Sequence, residues 1–358
     1  MRRLDPFVLL ATLAICVCSY LAQTSTARAI TTPAFATRQL VFLAVGLVLL
    51  VVVSLTDYRV LARFSPLFYA ASVAVLLALF VVAPFRAGTQ SWLSFAGFTV
   101  QPSEFARVVT ILAIAALASE HRQSRLDVGT VARIVAVVGV PAILVALEPD
   151  LGMALTYAPI VLAALWLGGL PWRTWLALGL AGAALAGAAW FWYFKPYQKE
   201  RILTFLDSDR APYAAGYQQR QSRIAVGSGR VTGKGLHSGT QSQLRFLPAQ
   251  HSDFIYAVWA EETGFVGASL LLLTYGLLLA RILLIAAAAR DRVGALIAGA
   301  TGFVLATQTA INVAFVTGLA PTTGITLPLM SAGGSSIIAT CISLGLVQSV
   351  WRLRYANV

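Results

Sequence analysis

The chain has 358 residues, of which 58% are hydrophobic and 11% charged, with a formal net charge of +12. A soluble domain carries about 25% charged residues, so a soluble globular fold is excluded, and apolar runs recur from end to end. The basic residues lie between those runs rather than in one soluble block. That is the pattern of membrane-flanking, topology-setting charge and not of a nucleic-acid surface.

A spanning helix needs about 20 apolar residues. On that template the chain is an all-α integral membrane protein with ten transmembrane helices, near 6–23, 38–55, 66–83, 103–119, 131–147, 150–168, 174–194, 257–281, 293–317 and 333–351. Arg2, Arg3 and the apolar run from Pro6 to Ala22 have the outline of a signal peptide. No small-residue cleavage site leads into a soluble domain, so the run is read as the first span. Cys16, Cys18 and Cys341 fall within spans and give neither a disulfide framework nor a zinc spacing.

The fourth span opens with "QPSEFARVVTILAIA", which places Glu104 and Arg107 three residues apart on one helical face. Two readings stay open: a helix cap with a local ion pair, or charges facing a polar cavity, since lipid exposure would cost several kcal/mol. Between the fifth and sixth spans, "LEPDLGMAL" breaks the helix at Pro149 and sets Glu148 and Asp150 beside the break. There Asp150 is either a polar turn residue capping the sixth span or part of a site.

Short-loop charge predicts the orientation. Arg2, Arg3, Arg59, Arg63, Arg122, Arg125, Arg173, Arg281, Arg290, Arg292, Arg352 and Arg354 collect on one side, against Arg28, Arg38 and Arg86 on the other. Both termini are therefore expected in the cytoplasm. The seventh and eighth spans then bracket a large extracytoplasmic loop at 195–256, holding nine of the 26 basic residues and all three lysines. A loop of that length inside a compact chain is usually functional or disordered.

Within it, "VGSGRVTGKG" (226–235) resembles a phosphate-binding loop, but Ser228 stands in the first glycine position and Gly235 in place of Ser or Thr. Arg223, Arg230 and Lys234 with the glycine-rich turns would suit a diphosphate, or equally a solvated basic loop near headgroups. Asp253 then precedes the apolar eighth span in "AQHSDFIYAVWAEETGFVG". It is read as either an N-cap or a base at the mouth of a membrane cavity, with Glu261 and Glu262 deeper as supports. His121, His237 and His251 form no metal-ligand spacing with acids. The Gly-, Pro- and Ser-rich stretch 312–340 is read as a packed or re-entrant loop between the last two spans.

Taken in order, "QPSEFARVV", "EPDLGMAL", "GYQQRQSRIAVGSGRVTGKG", "GTQSQLRFLPAQHSDFIYAVWAEETGFVG" and "GLAPTTGITLPLMSAGGSS" resemble the SEDS family (shape, elongation, division, sporulation) of bacterial peptidoglycan polymerases, the RodA/FtsW type. The "GTQSQL" segment looks more like the elongation branch than the division branch. Ala249 and Ala332 depart from the glutamate and the aromatic residue common in the family at those places.

The resemblance implies a glycosyltransferase that joins lipid II into glycan strands at the outer face of the bacterial cytoplasmic membrane, alongside a class B penicillin-binding protein. It matches the catalytic aspartate to Asp253, the charged pair to Glu104 and Arg107, and the Pro-Asp-Leu-Gly aspartate to Asp150. Arg201, Arg223 and Lys234 are the cations expected to stabilise the departing diphosphate. A divalent cation, Mg or Mn, would share that role, although no sequence pattern demands one. The rival reading is a lipid II transporter, for which ten spans and intramembrane charge are equally suited.

Overall fold

The computed structural model describes residues 4–30, 34–84, 89–95, 98–119, 127–169, 172–207 and 215–355. His121 and the topology-setting Arg2, Arg3, Arg86, Arg122 and Arg125 lie outside the described residues. The molecule is a helical membrane protein with eight helices long and apolar enough to cross a bilayer, plus shorter apolar ones. In chain order the first are α1 (Pro6–Ile30), α2 (Ala34–Leu55), the short α3 (Tyr58–Arg63) and α4 (Ser65–Val82). Two antiparallel strands follow, β1 (Leu93–Phe95) and β2 (Phe98–Val100), a departure from the all-helical expectation.

The expected fourth span is α5 (Pro102–Ser119), and the fifth is α6 (Val128–Leu147), started by the Asp127 carboxylate accepting from the Thr130 amide. The expected sixth span is not one helix. It is divided into α7 (Leu151–Leu155) and α8 (Ala158–Leu167), because Pro149 stops α6 and Pro159, lacking an amide hydrogen, begins a fresh turn.

The seventh span is α9 (Trp172–Trp192), none of whose described side chains is fully buried. The segment expected as a large loop is folded, with α10 (Pro196–Leu206), α11 (Ala215–Ser228) and α12 (Thr240–Gln243) among its described residues. The last three spans are α13 (Ile255–Ala287), α14 (Arg292–Thr317) and α15 (Gly334–Leu353).

α14 and α15 form the buried centre, and α15 lies along α2 at close range. A Cβ at Gly345 would sit 2.7 Å from the Leu50 carbonyl oxygen, and one at Gly46 would sit 2.9 Å from Cys341 Sγ. Small residues thus let the two backbones meet, the usual packing device where lipid offers no hydrophobic drive.

The basic residues expected on one side do meet there. Arg59 Nε donates to Asp291 at 2.9 Å, Arg281 pairs with Asp5 at 2.6 Å, and Arg352 reaches the Leu55 and Thr56 carbonyls. At the far end of α1, the Ala29 carbonyl instead accepts from Arg245 of the folded 195–256 segment. The arginine-rich end and the end carrying Asp253 are therefore opposite ends of the bundle.

Candidate active site

At the end opposite the arginine cluster a cavity of about 440 Å³ opens among helix ends. Glu104 from the first turn of α5, Asp150 before α7, Arg201 from α10 and Asp253 before α13 all line it. The segment 321–326 and the start of α15, with Ser335 and Ser336, complete the wall. Of the seven side chains nominated from the sequence, Glu104, Asp150, Arg201 and Asp253 converge on this cavity, and Arg107, Arg223 and Lys234 do not line it.

Asp253 is not a helix cap. α13 starts at Ile255 after Phe254, with no side-chain cap bond, so its carboxylate is not committed to the helix start. A tight turn positions it instead, with the amides of Ser252 and Asp253 both reaching the Ala249 carbonyl at 3.1 and 3.2 Å. Burial raises the Asp253 carboxyl above the usual carboxylate range, opposed by the Ser252 hydroxyl and the charge of Arg201.

Asp150 has both of the roles left open by its sequence. It caps α7 by accepting from the Met153 amide at 3.0 Å, and its other oxygen accepts from Gln101 Nε2 at 3.0 Å. Burial raises its carboxyl, the Met153 bond lowers it, and the charges of Glu104 and Asp253 raise it again while Arg201 lowers it. Three acids and one arginine thus meet across one space.

The Glu104–Arg107 pair is buried, joined at 2.5 Å, and Arg107 also donates to Thr156 Oγ1 at 3.0 Å. Glu104 meets the cavity while Arg107 stands behind it, tying α5 to the α7 end. Arg223 is exposed, its stem packed against the backbone of Gly318 at the end of α14.

Lys234 is occupied by Glu261, whose carboxylate takes Lys234 Nζ at 2.6 Å and the Gln241 amide at 2.9 Å. "VGSGRVTGKG" is likewise no phosphate cradle. Its amides are spent on the chain itself: Lys234 and Gly235 donate to the Glu261 and Glu262 carbonyls, and Phe265 and Val266 donate back to Arg230 and Val231. This crossing explains the glycines, because a Cβ at Gly233 (φ 81°) would lie 2.1 Å from the Glu262 oxygen. α13 breaks at the same place, where Gly264 has φ 68°.

Glu262 bonds the Ser25 hydroxyl, so both glutamates are supports, as their depth in the eighth span suggested. His251 is half-buried. Its ring packs 4.8 Å from that of Phe35, and burial lowers its pKa.

Sequence reasoning missed Gln101, Gln308, Thr326, Ser335 and Ser336 as cavity residues. For Thr326, Ser335 and Ser336 the signal was the polar composition of 312–340, which marks a non-lipid environment without saying which hydroxyls face it. Among the described residues no group of three or more His, Cys, Asp or Glu is placed to hold a metal ion.

Fold and site together define a polytopic helical membrane protein with an acid-lined cavity at one membrane face. The chain belongs to the FtsW/RodA/SpoVE family of cell cycle proteins, whose family model matches residues 3–356. It is 37% identical over 310 residues to the peptidoglycan glycosyltransferase MrdB of Escherichia coli K12, covering 86% of this chain and 83% of that protein. A probable peptidoglycan glycosyltransferase FtsW of Geobacter sp. M18 is 34% identical over 320 residues, covering 88% and 86%.

Among solved structures, a chain from a peptidoglycan synthase complex that coordinates polymerization and crosslinking superposes with a TM-score of 0.84 at 33% identity, over 99% of both chains. The rod shape determining protein RodA of Thermus thermophilus superposes with a TM-score of 0.73 at 29% identity, over 99% of this chain and 98% of that one.

Proposed function

We propose that the chain is a peptidoglycan glycosyltransferase that polymerises lipid II, with Asp253 as the base. The observation that carries this reading is an aspartate with no structural duty at a helix start, held in a cavity with a cation and a second acid. A base needs a carboxylate that is ionised yet not already saturated by protein donors. Asp253 takes the proton from the acceptor sugar's 4-hydroxyl as that oxygen forms its bond to the donor's anomeric carbon. The bond from that carbon to the diphosphate oxygen breaks on the opposite face, so configuration inverts and undecaprenyl diphosphate leaves.

Arg201 is the cavity cation placed to stabilise the leaving diphosphate. Asp150 and Glu104 supply polar contacts to the sugars. A divalent cation, Mg or Mn, arriving on the diphosphate itself would add charge neutralisation beside Arg201.

The opposite placement of the arginine cluster and the cavity supports cytoplasmic termini and a site at the outer face of the bacterial cytoplasmic membrane. The match to a chain from a synthase complex supports a crosslinking partner, a class B penicillin-binding protein. A lipid II transporter is the weaker reading, because the relatives with names are glycosyltransferases and the site residues gather at one end. Proteoliposomes holding the purified protein and labelled lipid II separate the two. Polymer formation is expected; movement of label across the bilayer without polymer would overturn the proposal.

A further inference from the structure

The turn carrying Asp253 is gripped from outside by three consecutive carbonyls. The His251 carbonyl accepts from the Ala332 amide and from Gln23 Nε2, each at 2.8 Å. The Ser252 carbonyl accepts from Ser331 Oγ at 2.6 Å. The Asp253 carbonyl accepts from Asn312 Nδ2 at 3.1 Å. None of these donors belongs to the turn itself. They come from α1, from α14 and from the segment between α14 and α15.

Two of the donors are shared in a telling way. Asn312 is fully buried, and its amide nitrogen also donates to the Ile325 carbonyl at 2.8 Å, so one side chain joins the Asp253 peptide to a segment that walls the cavity. Ser331 is buried, donates to Ser252 and accepts from the Leu327 amide at 2.8 Å, using its hydroxyl in both directions. With three successive peptide planes fixed, the Cα of Asp253 has little freedom, and the carboxylate keeps only its side-chain torsions. Such a grip is the structural form of preorganisation, in which a displacement of about 1 Å costs on the order of 100-fold in rate.

We propose that Asn312 and Ser331 are positioning residues for Asp253, acting on the reaction through the backbone of the base and not by contact with substrate. The inference rests on the reading of Asp253 as the base. Neither residue supplies a charge, so their loss leaves the charged groups of the cavity in place: Glu104 of α5, Asp150 before α7 and Arg201 of α10. What changes is how tightly the base is held and how dry it stays.

The test uses the full-length protein with purified lipid II. Asn312→Asp keeps size and removes both donated bonds, and Ser331→Ala removes only the hydroxyl; Ser331→Thr restores it. Asp253→Ala is the control for the underlying reading, and if it remains active that reading fails independently of this one.

With the control inactive, we expect kcat to fall about 10- to 100-fold in Asn312→Asp and Ser331→Ala. KM for lipid II should stay within about twofold, and Ser331→Thr should recover most of the rate. In Ser331→Ala, which adds no charge, the acid limb of the kcat profile should move to lower pH, because a loosened Asp253 gains water and loses part of the burial that raises its pKa. Wild-type kcat in both variants would overturn the proposal, as would a raised KM with unchanged kcat. If Asn312→Asp does not fold, Ser331→Ala and its threonine counterpart decide the matter alone.

Discussion

Replacing Lys234 tests whether the glycine-rich stretch binds substrate or holds the fold. Glu261 is fully buried and accepts from Lys234 Nζ at 2.6 Å, from the Gln241 and Ser242 amides at 2.9 and 3.3 Å, and from Thr240 Oγ1 at 3.2 Å. Lys234→Met leaves that carboxylate inside the protein with neutral donors only. Removing one partner of a buried ion pair costs ~3–5 kcal/mol. The Lys234 side chain is 26% exposed, so water already screens part of the interaction, and ~2–3 kcal/mol is the expected loss.

Glu261→Ala should cost more, because two backbone amides lose their acceptor as well. Thermal unfolding in detergent, with proteolysis of the 226–243 segment, reads the effect: lower unfolding temperature and faster cleavage, with KM for lipid II near wild type in the folded fraction. Unchanged stability with a KM raised tenfold or more would refute the reasoning and return Lys234 to the diphosphate.

Two further predictions concern other buried acids. Arg107→Met strands Glu104 and should cost ~3–5 kcal/mol, while Glu104→Gln combined with Arg107→Met should recover much of that loss; thermal unfolding of the single and double variants checks it. Burial pushes the Glu148 carboxyl up to about 7 from an ordinary 4.5, with the Ser91 hydroxyl lowering it and Asp150 raising it. A folded pKa above the unfolded one stabilises fully below 4.5, and that contribution is lost as pH rises through 7. Glu148→Gln should therefore flatten the stability profile between those values and leave the variant more stable than wild type at alkaline pH. Parallel profiles would contradict it.

The membrane class, the positions of most spans and the sidedness of the arginines were legible because hydropathy and charge depend on residue type alone. The break of the sixth span was visible at Pro149, but the second interruption at Thr156 and Tyr157 was not, since apolar residues continue across it. The helices α10, α11 and α12 within the expected loop were hidden too. α11, rich in glutamine and arginine, is polar by composition and gains its place by packing against α13 and α14.

The site shows the same division. Asp253, Asp150 and Glu104 stood out as acids in apolar surroundings, with cap and site readings both open until the family resemblance favoured the site, and Arg201 was chosen only on that resemblance. The competing cap role for Asp253 was a fair sequence alternative that the start of α13 at Ile255 removes. Lys234 and Arg223 do not line the cavity, and composition could not show this, because a glycine-rich basic stretch looks the same whether its amides face a ligand or, as here, another backbone. Asn312 and Ser331 lie in the polar 312–340 stretch, but nothing there showed what they hold, since their acceptors lie 59 and 79 residues away.

Proton transfer by Asp253 is the step on which the proposed reaction turns. Asp253→Asn preserves size and leaves the backbone bonds of the turn available, so its rate of glycan formation from purified lipid II, measured in a single turnover with binding saturated, tests that claim directly. A loss of about 100-fold to 10,000-fold is expected, the range that general-base catalysis supplies. A rate within a few-fold of wild type would contradict it.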